Sequence, residues 1–363
     1  MSLADTRYSD RRRKLASKLA GKRVDGMVVT NLTHMQYLTG FSGSNGALYI
    51  DKALNAKVAT DGRYTTQIAQ QVPDVEAIIE RAVGPALLSR VEGPARVGFE
   101  AEYISVSERE ALEKALPEGV TLVPITGVIE DIRIIKDATE LEKLTDIAEL
   151  ATKALVGMLE AGELAAGRTE REVAADLEFR MRIAGADRPS FDTIVASGPN
   201  SALPHYQAGD RVLEDGDLVT IDFGAHRAGF NSDMTRTFVI GTPGEFASEI
   251  YQIVKRAQEA GVRASVPGAR LADVDKACRD VIEEAGYGQY FVHSTGHGVG
   301  LEVHERPAAA RNAPGQLAPG MTLTIEPGIY VPGKGGVRIE DTLIITEGAP
   351  KIITNYTKEL VSF

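Results

Sequence analysis

One cysteine, Cys278, stands in 363 residues; a single thiol excludes an intramolecular disulfide and fits a reducing compartment. Its setting, "LADVDKACRDVIEEAG", spaces it from Val274, Val281 and Ile282 as one face of a helix does, which predicts a buried core thiol. Positive charge is also short. Forty Lys and Arg against 51 Asp and Glu leave a formal net charge of −11, which argues against nucleic acid or an anionic membrane as the main partner. No run could span a bilayer, and the amino-terminal stretch has no apolar core of signal-peptide length. A soluble, cytoplasmic protein is expected. Histidine numbers only six, yet three of them, His293, His297 and His304, fall within "HSTGHGVGLEVHERP".

What is present is enough for two domains. From Val24 to about Pro124, strand-like runs ("GMVVTN", "GALYID", "VATDG", "VTLVPI") alternate with helical ones ("RYTTQIAQQV", Ser107 to Leu116). This predicts an α/β domain over residues 1–130. Asp137 and Glu140 read as a capping box opening a long helix to Glu160, and Thr169 with Glu172 as another, closed near Gly185. Strands follow ("LVTIDFGA", "DMTRTFVIG"), then helices over about 245–264 and 271–285, then strands again. Helices and antiparallel strands are segregated, so residues 131–363 predict an α+β domain.

The histidine stretch resists familiar readings. His304-Glu305 is followed by Ala308 where a zinc helix needs a second histidine, and the glycines at 296, 298 and 300 are too close for a dinucleotide loop. By itself the stretch is equally a glycine-rich turn with incidental histidines. "DLVTIDFGAHRAGFNSDMTRTFVIG" reads as a hairpin, and a turn between Arg227 and Ala228 sets Asp222 opposite Asp233. Like charges there are destabilising unless both point into water or a cation lies between them. The Asp222-Phe-Gly224 triplet lacks the other kinase motifs. A second hairpin, "MTLTIEPGIYVPGKGGVRIEDTLIIT", turns about Gly333 and sets Glu326 opposite Glu340. Pro327 leaves Glu326 at a strand end, and Asp341, on the opposite face, is expected in solvent. Four converging carboxylates need compensation. Two divalent cations supply it, His297 can complete a coordination sphere, and its glycines let the backbone approach closely. Oxygen ligands favour Mn²⁺ or Mg²⁺; the imidazole tips the choice toward Mn²⁺, with Co²⁺ or Zn²⁺ open. A cation pair so bridged is a hydrolytic arrangement.

These segments, with "IRIIKDATELEKL" and "SFDTIVASGPNSALPHY", resemble in order the motifs of the M24 metallopeptidases of the pita-bread fold, and among them the Xaa-Pro peptidases, aminopeptidase P and prolidase. The resemblance covers nearly the whole chain. It implies a creatinase-like amino-terminal domain, a homodimer, a proline-containing peptide as substrate, and Asp222, Asp233, His297, Glu326 and Glu340 as ligands, with Asp233 and Glu340 bridging. It also implies that His205 and His304 line the site without binding metal, donating to a developing oxyanion or holding the peptide. Glu326 is then the proton carrier to the leaving nitrogen. The proline nitrogen carries no hydrogen before cleavage, so a compact apolar pocket for its ring is expected. Arg338, two residues before Glu340, is expected to orient that carboxylate or meet substrate, and His293 to be structural. His34 and His226 match nothing and are expected in surface or turn positions. A methionine aminopeptidase usually lacks the first domain; a creatinase-type hydrolase or a binding module lacks part of the ligand set. Between Xaa-Pro aminopeptidase and Xaa-Pro dipeptidase the sequence leans mildly to the first. Arg311 is a candidate for holding a dipeptide carboxylate, although the matching position is Asn312.

Overall fold

In the computed structural model, which describes residues 6–363, the apolar runs of the first part of the chain pair into one sheet. Its strands are β1 (Gly26–Val29), β2 (Gly46–Asp51), β3 (Ala56–Thr60), β4 (Glu76–Ile79), β5 (Ala95–Glu100) and β6 (Val120–Ile125), in the order β4-β3-β2-β1-β5-β6. β2 runs antiparallel to both its neighbours and the other pairs are parallel. The associated helices are α1 (Arg7–Leu19), α2 (Leu32–Thr39), α3 (Thr65–Gln71), α4 (Val83–Leu88), α5 (Val106–Lys114) and α6 (Val128–Arg133). Sequence periodicity had indicated neither α1, α2 and α4 nor the strands β4 and β5. α1 begins with a basic run that looks solvated, but Arg11 and Arg12 are buried and donate to the Tyr37 and Leu38 carbonyls in the last turn of α2. His34, expected at the surface, is buried in α2, its Nδ1 lying 2.5 Å from Glu100 Oε1. Buried imidazole needs such a partner, and the acceptor comes from a strand 66 residues away that local pattern does not reveal.

The chain divides into two units, Met1–Arg133 and Ile134–Phe363. In the second, α7 (Ala138–Glu160) and α8 (Glu170–Ile183) begin with complete capping boxes at Asp137/Glu140 and Thr169/Glu172. After them come β7 (Arg188–Pro189), β8 (Ile194–Ser197), β9 (Leu218–Phe223), β10 (Ala225–Arg227), β11 (Phe230–Asn231) and β12 (Met234–Val239). The helices α9 (Glu245–Ala264) and α10 (Leu271–Glu284) follow. The chain ends in β13 (Gly296–Gly298), β14 (Glu305–Ala309), β15 (Thr322–Ile325), β16 (Gly328–Val331), β17 (Gly335–Arg338), β18 (Asp341–Ile344) and β19 (Lys351–Ile352). Leu155, Val173 and Leu177 of α7 and α8 pack with Val219, Ile221 and Phe223 of β9. Ile250, Val254, Val274, Cys278 and Ile282 of α9 and α10 pack with Leu323, Ile325 and Val337. Each such side chain contributes about 1.5–3 kcal/mol on burial. The strands are thus held from behind by helices, and their other ends are free to carry polar groups. Among the described residues, no helix is long and apolar enough to cross a membrane.

Candidate active site

Two hairpins assemble the site. In the first, Ala228 and Gly229 both have positive φ (51° and 87°), the backbone of a two-residue type I′ turn. The turn therefore lies one residue further along than Arg227/Ala228, and Asp222 faces Thr235 rather than Asp233. Asp233 sits two residues before Thr235, so the side-chain alternation still puts it on the face of Asp222. Continuing the chain past Asp222 requires Gly224, where a Cβ would overlap the Ser232 carbonyl oxygen. The second hairpin has the expected register: Ile325 faces Asp341 and Gly328 faces Arg338, which sets Glu326 and Glu340 opposite one another between the paired segments.

The glycine-rich stretch then docks against β15. A Cβ at Gly296 would overlap the Thr324 carbonyl, and one at Gly298 the Arg306 carbonyl, so only glycine permits this approach. His297 N–H donates to Thr324 Oγ1 (3.0 Å), and its Nδ1 donates to the Gly298 carbonyl (3.0 Å). That bond fixes the tautomer and aims the bare Nε2 at the acids, 3.3 Å from Glu326 Oε1 and 3.6 Å from Asp233 Oδ2. The His304 ring packs on it, with centroids 4.3 Å apart.

One cavity of about 350 Å³ is lined by His205, Asp222, Asp233, His293, His297, His304, Glu326, Arg338 and Glu340. All nine had been singled out from the sequence. Phe191, Ile194, Pro204 and Tyr206 add the apolar side of the same lining. Arg311 is absent from it: exposed, it pairs with Glu283 at 2.7 Å. Asp341 does point to the other face, but it is buried rather than solvated, held by Arg236 (2.7 Å), Lys358 (2.8 Å) and Gln258 (2.9 Å). A strand covered on both faces has no solvated side, and the cations that satisfy Asp341 come from remote sequence. His226 is a half-buried residue of β10, 3.5 Å from Asp187. Arg338 donates to Asp222 Oδ2 (2.6 Å) and to the Tyr330 hydroxyl (2.8 Å), so it holds Asp222 rather than Glu340. Tyr330 in turn donates to His293 Nε2 (2.8 Å), whose Nδ1–H donates to the Ser294 carbonyl. Sequence reasoning missed Thr235, which donates to Glu340 Oε2 (2.7 Å); its position two after Asp233 on one strand face was the available signal.

The electrostatics are those of crowded acids. Burial, reinforced by Glu340 and Asp222, pushes the Asp233 carboxyl well above its ordinary value. Burial and then Glu326 do the same to Glu340. Burial also works against ionised Glu326, but the His297 bond and charge overcome it and hold this carboxyl down at about 2. His297 loses from burial and gains more from Glu326, ending at about 9. Asp222 Oδ1 and Glu340 Oε1 are buried and, among the described residues, have no hydrogen-bond donor. Orphaned buried carboxylate oxygens are costly. Three sets of donor atoms each lie within 4.8 Å of one another: Asp222, Asp233 and Glu340; His297, Glu326 and Glu340; Asp233, His297 and His304. This donor chemistry, mostly carboxylate with imidazole, fits divalent cations.

The sequence signature of metallopeptidase family M24 matches residues 140–347, and that of the creatinase/prolidase N-terminal domain residues 11–135. The chain belongs to family M24. It is a metallo-exopeptidase of pita-bread fold, with an α+β catalytic unit that works with divalent metal. This M24 chain is 50% identical over 237 residues to an Xaa-Pro dipeptidase of Pyrococcus furiosus, covering 65% of this chain and 68% of that one. Among solved structures it is similar to an Xaa-Pro dipeptidase from Bacillus anthracis (TM-score 0.94, 39% identity, 98% of this chain and 100% of that one). It is also similar to an X-Pro aminopeptidase from Thermotoga maritima (TM-score 0.87, 33% identity, 97% and 99%).

Proposed function

We propose that this M24 chain is an Xaa-Pro aminopeptidase, removing the residue before a proline at the amino end of a peptide. In this reading Asp222, Asp233, His297, Glu326 and Glu340 hold two divalent cations, Mn²⁺ by preference, with Asp233 and Glu340 shared between them. The observation that carries it is the pair of orphaned oxygens, on Asp222 and Glu340, in one cavity with the aimed Nε2 of His297. The bound cations supply Lewis-acid polarisation of the scissile carbonyl and lower the pKa of a water.

The chain's own groups do the rest. Glu326, held ionised at about 2 by His297, accepts a proton from the attacking water and delivers it to the proline nitrogen, which needs one to leave. His205 and His304 donate to the charge that develops on the carbonyl oxygen. Burial first, and then His297, lower the His304 pKa, which suits a neutral donor. Phe191, Ile194, Pro204 and Tyr206 offer apolar surface to a pyrrolidine ring. The aminopeptidase reading rests on the absence of a spare cation: the lining's one guanidinium, Arg338, is already neutralised by Asp222, and Arg311 lies outside. A dipeptidase that binds a free carboxylate next to the proline benefits from such a cation. The names of the similar dipeptidases favour that second reading.

Manganese-loaded protein is assayed on an Xaa-Pro dipeptide and an Xaa-Pro-Yaa tripeptide. Cleavage of both, or of the tripeptide alone, is expected. Cleavage of the dipeptide alone replaces the proposal with the second reading, and cleavage of neither removes both.

A further inference from the structure

Glu170 is wholly buried, at 0% exposure, and plays no part in the cavity lining. It is the first residue of α8, a 14-residue helix, where the helix dipole favours negative charge. Its carboxylate is surrounded by donors from one loop. Oε1 accepts from the Ser197 N–H (2.8 Å), the Ser197 hydroxyl (2.7 Å) and Asn200 Nδ2 (3.0 Å). Oε2 accepts from the Gly209 N–H (3.2 Å). The Tyr206 hydroxyl, which accepts from Asn200 Nδ2 (2.9 Å), is hydrogen-bonded to Glu170 as well. The backbone repeats the tie, because the N–H groups of Glu170 and Arg171 donate to the Arg211 and Gly209 carbonyls. Arg211 braces the arrangement from outside: its Nη1 donates to Ser197 Oγ (2.7 Å) while it pairs with Asp217 at 2.5 Å.

The consequence is geometric. The loop leaves β8 at Ser197 and returns at Gly209, and one carboxylate gathers both ends. Between the two ties lie Pro204, His205 and Tyr206, three residues of the cavity lining. His205 is itself exposed, so its place over the site is set by how firmly the loop is held. We propose that Glu170 is the positioning residue that fixes the His205 loop over the active site, acting through His205 rather than on substrate. The inference rests on the Xaa-Pro peptidase reading for its catalytic consequence, but the anchoring itself is measurable without turnover.

The test is a double-mutant cycle on manganese-loaded protein, with Glu170→Gln, His205→Ala and the pair together. Glutamine keeps the shape, removes the charge and places an N–H₂ among donors. Glu170→Gln is expected to keep the parent's metal content while amide exchange of residues 203–209 speeds up at least about tenfold. It should lower kcat/KM on an Xaa-Pro-Yaa peptide roughly tenfold to a hundredfold, the scale of a misplaced catalytic group. In the His205→Ala background the same change should cost less than about threefold, since the group it positions is gone. Equal losses in both backgrounds, or parental exchange in the loop, overturn the inference. Should Glu170→Gln fail to fold, Asn200→Ala, which removes one donor to the same carboxylate, carries the same cycle under the same criteria. A parent protein that cleaves no Xaa-Pro bond sinks the proposed function instead and leaves the exchange measurement, run on metal-free protein, to decide the anchoring alone.

Discussion

His297 and His304 lie ring against ring, 4.3 Å between centroids, yet their surroundings give them different work. His297 has its Nδ1–H engaged by the Gly298 carbonyl and its Nε2 among carboxylates, the arrangement of a ligand whose orientation is fixed from behind. His304 is half as deeply covered, and its donor-set partners are Asp233 and His297, so proximity alone admits it as a further ligand. The two alanine variants separate these cases. His297→Ala should lower metal occupancy, because a direct bond is lost. His304→Ala should keep the parent's metal and melting temperature and lose kcat/KM by about 10²–10³-fold, the scale of one transition-state donor. A fall mainly in kcat would place that contact in the transition state. Joint loss of metal and stability in His304→Ala would instead make it a ligand or a brace of the loop. Asp233→Ala, which removes the acid common to two of the donor sets, should abolish activity in the presence of excess metal, and retained turnover would contradict its bridging role.

Among the elements, the glycine stretch is where backbone geometry limits the site most tightly. Gly296→Ala would force a Cβ into the Thr324 carbonyl, separating β13 from the strand that positions Glu326. Overpacking against rigid backbone costs about 1–3 kcal/mol, and metal content should fall with stability. Gly333→Ala is the control: its φ is 75° and nothing lies within 4 Å of the added Cβ, so only backbone strain of about 1–2 kcal/mol is expected, with metal unchanged. Parental melting and metal content in Gly296→Ala would show that the overlap is relieved without moving the site. The same elements explain what could be read in advance. Side-chain alternation survives a two-residue register error, so Asp222 and Asp233 were correctly placed on one face although the turn was misplaced. The capping boxes at Asp137 and Thr169 are local and were legible. The partners of His34, Asp341 and Arg338 were not, because Glu100, Arg236 and Asp222 each lie more than 60 residues away in sequence. α1 was hidden for a related reason, since its arginines serve carbonyls of another helix.

For the whole molecule, the crowded acids link stability to pH and to metal in opposite senses. In chelated protein, Asp233 and Glu340 have folded pKa values raised above the unfolded ones, so the folded state binds their protons more tightly and stability falls as pH rises. His297, raised to about 9, contributes stability that is complete below its unfolded value and is lost as pH climbs through 9, in the same direction. Glu326, lowered to about 2, contributes stability present above its unfolded value and lost as pH falls toward 2, so its effect lies below the window. Between pH 5 and 9 the chelated protein should therefore melt lower as pH rises. Metal requires ionised carboxylates and neutral imidazole, so at fixed free Mn²⁺ its stabilisation should grow over the same range. Each proton displaced changes the linkage by about 1.4 kcal/mol per pH unit, which for a unit of this size is on the order of 3–5 °C in melting temperature. The chain contains no tryptophan, so calorimetry or circular dichroism follows the transition better than fluorescence. The gap between loaded and chelated melting temperatures should widen from pH 5 to 9; a gap that is constant or narrows would mean that the cations do not displace protons from these acids, and the carboxylates would then have to be satisfied in some other way.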